Sequence, residues 1–198
     1  FDDLIIGAYG YNTNSGRAYL FYGSATGLHP TTPDWIVNGE MTESYLGYSV
    51  AGAGDVNGDG LDDVLVGSHG YDLIEPAAAN VGRVYLYLGS GDGLAITPAW
   101  TFTGSQAGQA VGVRVAGLGD VNADGFDDFA VGSSGWDGGE TDEGLVYVFY
   151  GSEDGPADTA DWTAESNQAS SNFGASLSGI GDVNGDGYDD IIVGAGAS

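Results

Sequence analysis

The sequence predicts an all-β chain built from four-stranded antiparallel β-propeller blades, and three observations predict it. Glycine supplies 37 of the 198 residues, and it falls at turns and strand edges rather than in a collagen-like period. No window places apolar residues at i, i+3, i+4 and i+7 over three turns, so long amphipathic helices are not expected. The chain also repeats itself: Asp55 to Asp120 is 65 residues, Asp120 to Asp182 is 62, and Asp3 stands 60 residues before its counterpart Asp63.

Taken in order, the elements are strands named A to D by their place in the repeat. The chain opens on "FDDLIIG" (residues 1–7), a strand B that matches "LDDVLVG" at 61–67. Strand C follows as "GRAYLFYGS" (16–24), and strand D as "DWIV", which carries Trp35. The next repeat begins with strand A, "LGYSVAGAG" (46–54), crosses the loop "DVNGDGLDD" (55–63) and enters B through "DDVLVG". Its C is "GRVYLYLGS" (82–90), and its D is "AWTF" with Trp100. The third repeat reads "VGVRVAGLG", "DVNADGFDD", "DDFAVG", "GLVYVFYGS" and "DWTA" with Trp162; the fourth stops after "FGASLSGIG", "DVNGDGYDD" and "DDIIVG". Recurrence of the three tryptophans at the blade period points to packing. Four short strands cannot hide both faces of their own sheet, so neighbouring units must stack, and radial stacking of four-stranded sheets makes a propeller. The rival is a flat solenoid of β-hairpins, but parallel β-helix coils are much shorter per turn.

Phased on the aspartate loops, a single propeller segment, 1–198, divides into units 1–54 (partial), 55–119, 120–181 and 182–198 (partial). These strands are too few to close a common ring of about 4–8 blades. The expectation is a window from a longer propeller chain, with a removed leader or further chain before Phe1. A bolder alternative is copies associating head to tail through unpaired terminal strands, since open edges invite pairing.

Charge narrows the partners. The net charge is −26, with 29 acidic residues against Arg17, Arg83 and Arg114 and no lysine. Nucleic acid and anionic membranes need clustered Lys or Arg, so neither is an expected partner. No apolar run approaches the roughly 20 residues of a membrane helix, and no membrane insertion is expected. Cysteine is absent, which leaves no disulfide framework and no thiol nucleophile and fits a secreted protein of bacterial style.

Why crowd carboxylates at the entrance to a buried strand? Counting from Asp55, the loop sets Asp55, Asn57 and Asp59 at positions 1, 3 and 5, Gly60 at the sharp bend, Leu61 at position 7 and Asp63 at position 9. Oxygen side chains on alternate residues, a turn glycine and a carbonyl at position 7 suit a hard cation. The other copies give Asp120, Asn122, Asp124, Phe126 and Asp128, then Asp182, Asn184, Asp186, Tyr188 and Asp190. Position 7 varies among Leu, Phe and Tyr, as expected where only the backbone oxygen coordinates. Two carboxylates ~5 Å apart at an effective dielectric of ~20 repel by about 3 kcal/mol, which a divalent ion would offset. Ca²⁺ is expected, about three ions, one per complete loop. The loops are not EF-hands, because position 12 is Val66, Val131 or Val193 rather than Glu. Ordinary polar turns are the bland alternative, weakened by three copies in register. Asp62, Asp127 and Asp189, at position 8, are expected to point outward as solvated charge.

The pattern resembles the FG-GAP repeat, found in integrin alpha-subunit propellers and in many secreted bacterial proteins. The match lies in "DVNGDGxDD", in Phe173–Gly174 as the FG element with Leu46–Gly47 and Val111–Gly112 in its place elsewhere, and in "GAY", "GSH", "GSS" and "GAG" where the family has GAP. The resemblance implies an extracellular or cell-surface propeller of the FG-GAP type, braced by calcium between strands A and B. It also implies recognition or adhesion through loops of the opposite face, toward a protein or glycan ligand. No catalytic residues are expected: His29 and His69 have no repeated partner and read as loop or surface residues, and no nucleophile or phosphate-loop motif occurs. Arg17 and Arg83 share one place in strand C and read as architectural. Two other functions stay open: a structural subunit of a head-to-tail extracellular assembly, and the propeller of a polysaccharide-active enzyme in which the non-periodic Trp136 would meet sugar.

Overall fold

Strand B of each complete repeat carries an apolar run between an aspartate and a serine, and its burial on both faces organises the architecture. The computed structural model describes residues 1–28, 32–74 and 77–196; His29 lies outside them. The strands are β1 (Leu4–Gly7), β2 (Arg17–Phe21), β3 (Trp35–Asn38), β4 (Ser49–Gly54), β5 (Asp63–Ser68), β6 (Arg83–Tyr87), β7 (Trp100–Thr103), β8 (Val111–Gly119), β9 (Asp128–Ser133), β10 (Leu145–Phe149), β11 (Trp162–Glu165), β12 (Ser176–Gly181) and β13 (Asp190–Gly194). They form four sheets, ordered β1-β2-β3, β4-β5-β6-β7, β8-β9-β10-β11 and β12-β13. Every pairing within them is antiparallel. The order B-C-D, then A-B-C-D twice, then A-B, is the one the repeats imply. Units phased on the aspartate loops count sequence period, whereas the hydrogen-bonded sheets start one strand earlier. One short helical turn, α1 (Tyr11–Asn14), interrupts the first B–C loop, with positive φ at Asn12, Thr13 and Asn14.

All six residues of β5 and of β9 are buried, because each strand lies mid-sheet between two neighbouring sheets. Three apolar clusters fill the gaps between successive sheets. Trp35, Leu46, Val66 and Tyr87 belong to the first; Trp100, Val111, Phe129 and Phe149 to the second; Leu118, Val146 and Leu177 to the third. Two of the three strand-D tryptophans meet the next sheet's strand C edge-on: Trp35 on Tyr87 at 5.0 Å and Trp100 on Phe149 at 4.8 Å. Their indole N–H groups donate to Ala95 O and Ala157 O in the following C–D loops. Trp162 departs from the packing expected of it: it is 44% exposed, against 5% and 8% for Trp35 and Trp100. No such loop covers it among the described residues.

The sheets meet through glycine. A Cβ on Gly67 would strike Gly112 O, and one on Gly132 would strike Gly174 O, so the last glycine of strand B receives the carbonyl of the next blade's FG-type glycine. Only a residue without a side chain permits that approach. Arg17 and Arg83 are architectural, as expected: each guanidinium lies over a B–C loop tyrosine, Tyr11 at 3.8 Å and Tyr71 at 3.7 Å. Their Nε groups donate to Asn38 Oδ1 and Thr103 Oγ1, both at 2.7 Å.

Candidate metal centre

The three complete A–B loops fold alike, and their carboxylates organise the bend. In the first, Asp55 Oδ1 accepts the Asp59 N–H (3.0 Å) and Oδ2 accepts the Gly60 N–H (2.7 Å). Asn57 Oδ1 also accepts from Asp59 N–H, at 3.1 Å, so the oxygens of positions 1 and 3 converge on one amide. Asp59 Oδ1 takes the Leu61 N–H (3.0 Å), and Asn57 Nδ2 donates to Asp59 Oδ2 (3.0 Å). The same set recurs on Asp120, Asn122 and Asp124. On Asp182, Asn184 and Asp186 the backbone bonds recur, joined by a Gly185 N–H at 2.6 Å. The bend requires left-handed backbone, supplied by Gly58 and Gly60 in the first loop. Ala123 adopts φ 61 where the other loops have glycine.

Position 9 ties the loop to the rest of its blade. Asp63 is fully buried; its Oδ2 accepts from Val56 N–H (3.0 Å) and its Oδ1 from Gly89 N–H (2.9 Å) at the far end of strand C. Asp128 repeats this with Val121 (2.9 Å) and Gly151 (2.9 Å), and Asp3 keeps the second bond, to Gly23 (2.8 Å). Asp190 holds Val183 N–H at 3.0 Å. A carboxylate offers about four lone-pair sites, so these bonds leave capacity for a cation. Burial raises the Asp63 and Asp128 carboxyls to about 6, with further upward pressure from the other aspartates of each loop and partial relief from the backbone bonds.

Asp62 is exposed, as expected of position 8, but Asp127 and Asp189 correct the expectation of outward, solvated charge. Asp127 Oδ2 accepts the N–H of Asp55 in the preceding blade at 2.8 Å, and the Asp127 N–H donates to Asp55 O at 3.1 Å. Asp189 N–H likewise reaches Asp120 O, at 3.3 Å. The available signal was the recurrence of Asp at position 8 in every copy; its partner lies 72 residues away and could not be read from spacing.

Does the donor set fit a cation? Among the described residues no group of three Asp, Glu, His or Cys side chains stands ready to hold a metal. Carboxylates alone would therefore not make a site. The remaining oxygens, from the Asn at position 3 and the carbonyl at position 7, are the mixed, flexible set that Ca²⁺ accepts. Basic side chains do not neutralise these loops, since the ion pair present among the described residues is Arg83 with Glu40 at 3.4 Å.

At the opposite ends of the sheets the B–C and D–A loops bring Tyr9, Tyr45, Tyr48 and His69 together. His69 lies 4.1 Å from Tyr48 and 5.1 Å from Tyr45, ring to ring, and Tyr9 is 5.3 Å from Tyr48. Burial lowers the His69 pKa. Trp136 packs against the second apolar cluster.

Stacked antiparallel sheets, each complete one four-stranded with an acidic bend joining its strands A and B, define a class, the β-propeller segment assembled from blade-sized repeats. Residues 46–87, 111–149 and 173–198 match the model of the FG-GAP repeat, and the chain belongs to that family. It is 40% identical over 187 residues to integrin alpha-5 of Xenopus laevis, covering 90% of this chain and 17% of that protein. It is 41% identical over 163 residues to integrin alpha-IIb of Mus musculus, covering 80% of this chain and 16% of that one. Integrin alpha-PS2 of Drosophila melanogaster is 39% identical over 172 residues, with 80% and 12% covered. The chain thus spans less than a fifth of these relatives' length. No helix of the described residues is long and apolar enough to cross a membrane.

Proposed function

We propose that the chain is a calcium-braced segment of a non-catalytic, extracellular adhesion propeller. The observation that carries the calcium reading is the recurrent bonding of backbone N–H groups to the carboxylates of positions 1 and 5 and the carboxamide oxygen of position 3 in all three loops, which gathers side-chain oxygens without a basic partner. In this reading Asp55, Asn57, Asp59, Asp63 and the Leu61 carbonyl hold one ion. Asp120, Asn122, Asp124, Asp128 and the Phe126 carbonyl hold a second; Asp182, Asn184, Asp186, Asp190 and the Tyr188 carbonyl hold a third. When bound, the ion supplies charge neutralisation and a cross-link between strands A and B.

Adhesion is supported by the similarity to integrin alpha subunits. Recognition of a protein or glycan is assigned to the face opposite the aspartate loops, where Tyr9 and Tyr48 are exposed beside His69. The unshared edges of β1 and β13 would be met by further blades, of the same chain or of a second copy. Calorimetric titration with Ca²⁺ tests the metal reading: about three sites are expected, falling by one in Asp59→Ala. A flat titration, together with identical melting curves in calcium and in chelator, would refute it.

A further inference from the structure

We infer that the A–B loops act as a coupled row, with Asp127 and Asp189 as positioning residues through which cation binding in one loop pre-organises its neighbour; this rests on the calcium reading above. The contact is direct. Asp127 grips both backbone groups of Asp55, its carboxylate on the N–H at 2.8 Å and its own N–H on the carbonyl at 3.1 Å. Asp55 occupies position 1 of one loop, and Asp127 stands between Phe126 and Asp128, positions 7 and 9 of the next. A second strap runs alongside: Val56 O accepts the Ser152 N–H at 3.0 Å, one residue from Gly151, whose N–H is held by Asp128 at 2.9 Å. The Phe126 ring supplies a third contact, for a Cβ on Gly58 would lie 2.6 Å from its Cε1 atom. The following pair of loops repeats the first contact, with Asp189 N–H on Asp120 O and the Asp189 carboxylate packed against Gly119.

The groups that touch are the proposed ligands themselves or their immediate neighbours, so ordering one loop fixes the backbone of the other. A second cation then meets a loop whose conformational entropy is already partly spent, which favours positive coupling without a change of fold. Linkage makes the effect reciprocal. Repulsion between two divalent ions opposes it, but each ion sits among carboxylates that more than offset its charge.

The test is a calcium titration of the intact protein followed by NMR, reading the Gly60 amide for one loop and the Gly125 amide for the next, since each donates to its own position-1 carboxylate. In Asp127→Ala the calcium midpoint at Gly60 should rise about tenfold, although no proposed ligand of that loop has changed. Asp127→Asn keeps an acceptor oxygen and should restore the midpoint. Asn57→Ala should in turn weaken binding read at Gly125, and this arm decides the matter should Asp127→Ala fail to fold. An unchanged Gly60 midpoint in Asp127→Ala, or an unchanged Gly125 midpoint in Asn57→Ala, overturns the coupling and leaves calcium binding intact. Absence of any calcium-dependent shift in the unaltered protein overturns the calcium reading, and the coupling with it.

Discussion

Asp63 concentrates two roles in one side chain. Its oxygens hold the N–H groups of Val56 and Gly89, which joins the mouth of the A–B loop to the end of strand C, and its burial is complete. Truncation leaves those donors unpartnered, at roughly 1–3 kcal/mol for each one buried. Asp63→Ala should therefore lose about 2–6 kcal/mol of stability even in chelator. Asp59→Ala, at an exposed position whose bonds are local to the bend, should cost little in chelator and show its main effect only with calcium present. Urea denaturation of both variants, with and without calcium, separates the staple from the ligand. Equal chelator stability for Asp63→Ala and the unaltered chain would show that the two N–H bonds contribute nothing.

Between elements, the decisive contacts cross from one sheet to the next. Trp100 is 8% exposed, packs edge-on against Phe129 and Phe149, and donates to Ala157 O. Removing it opens a cavity at the inter-sheet seam, so Trp100→Ala should destabilise by about 3–5 kcal/mol in chemical denaturation. A loss below 1 kcal/mol would mean that the seam closes over the gap. The strands themselves were legible in the sequence, because apolar runs bounded by glycine recur in register and the aspartate bends mark every A–B junction. What crosses between blades was not. The Asp127 latch joins residues 72 apart, and the exposure of Trp162 depends on a covering loop from a following sheet. Neither leaves a trace in local periodicity. The left-handed turn over residues 12–14 is illegible for a different reason: asparagine tolerates positive φ, but the β-branched Thr13 between Asn12 and Asn14 ordinarily does not.

At the scale of the whole molecule the governing fact is an excess of negative charge, 29 acidic residues against three arginines, folded into stacked sheets. Burial raises the Asp63 and Asp128 carboxyls to about 6, above the ordinary 3.8. Between those two values the folded chain binds more protons than the unfolded one, so without a cation stability must fall as pH rises through that window. Asp182 and Glu143 act in the opposite sense. Backbone N–H groups hold both below the usual carboxylate range, and their contribution disappears as pH falls through their lowered values. In chelator the melting temperature should therefore peak near pH 4 and decline by several degrees up to about pH 6, levelling off above it. Calcium held at the proposed sites would stabilise the ionised form of both buried aspartates and should abolish or invert that decline, leaving the greatest difference between calcium and chelator at neutral pH. Thermal melts across pH 4–8 in both conditions measure it. Parallel curves, with the same slope whether or not calcium is present, would mean that the buried aspartates never face the ion.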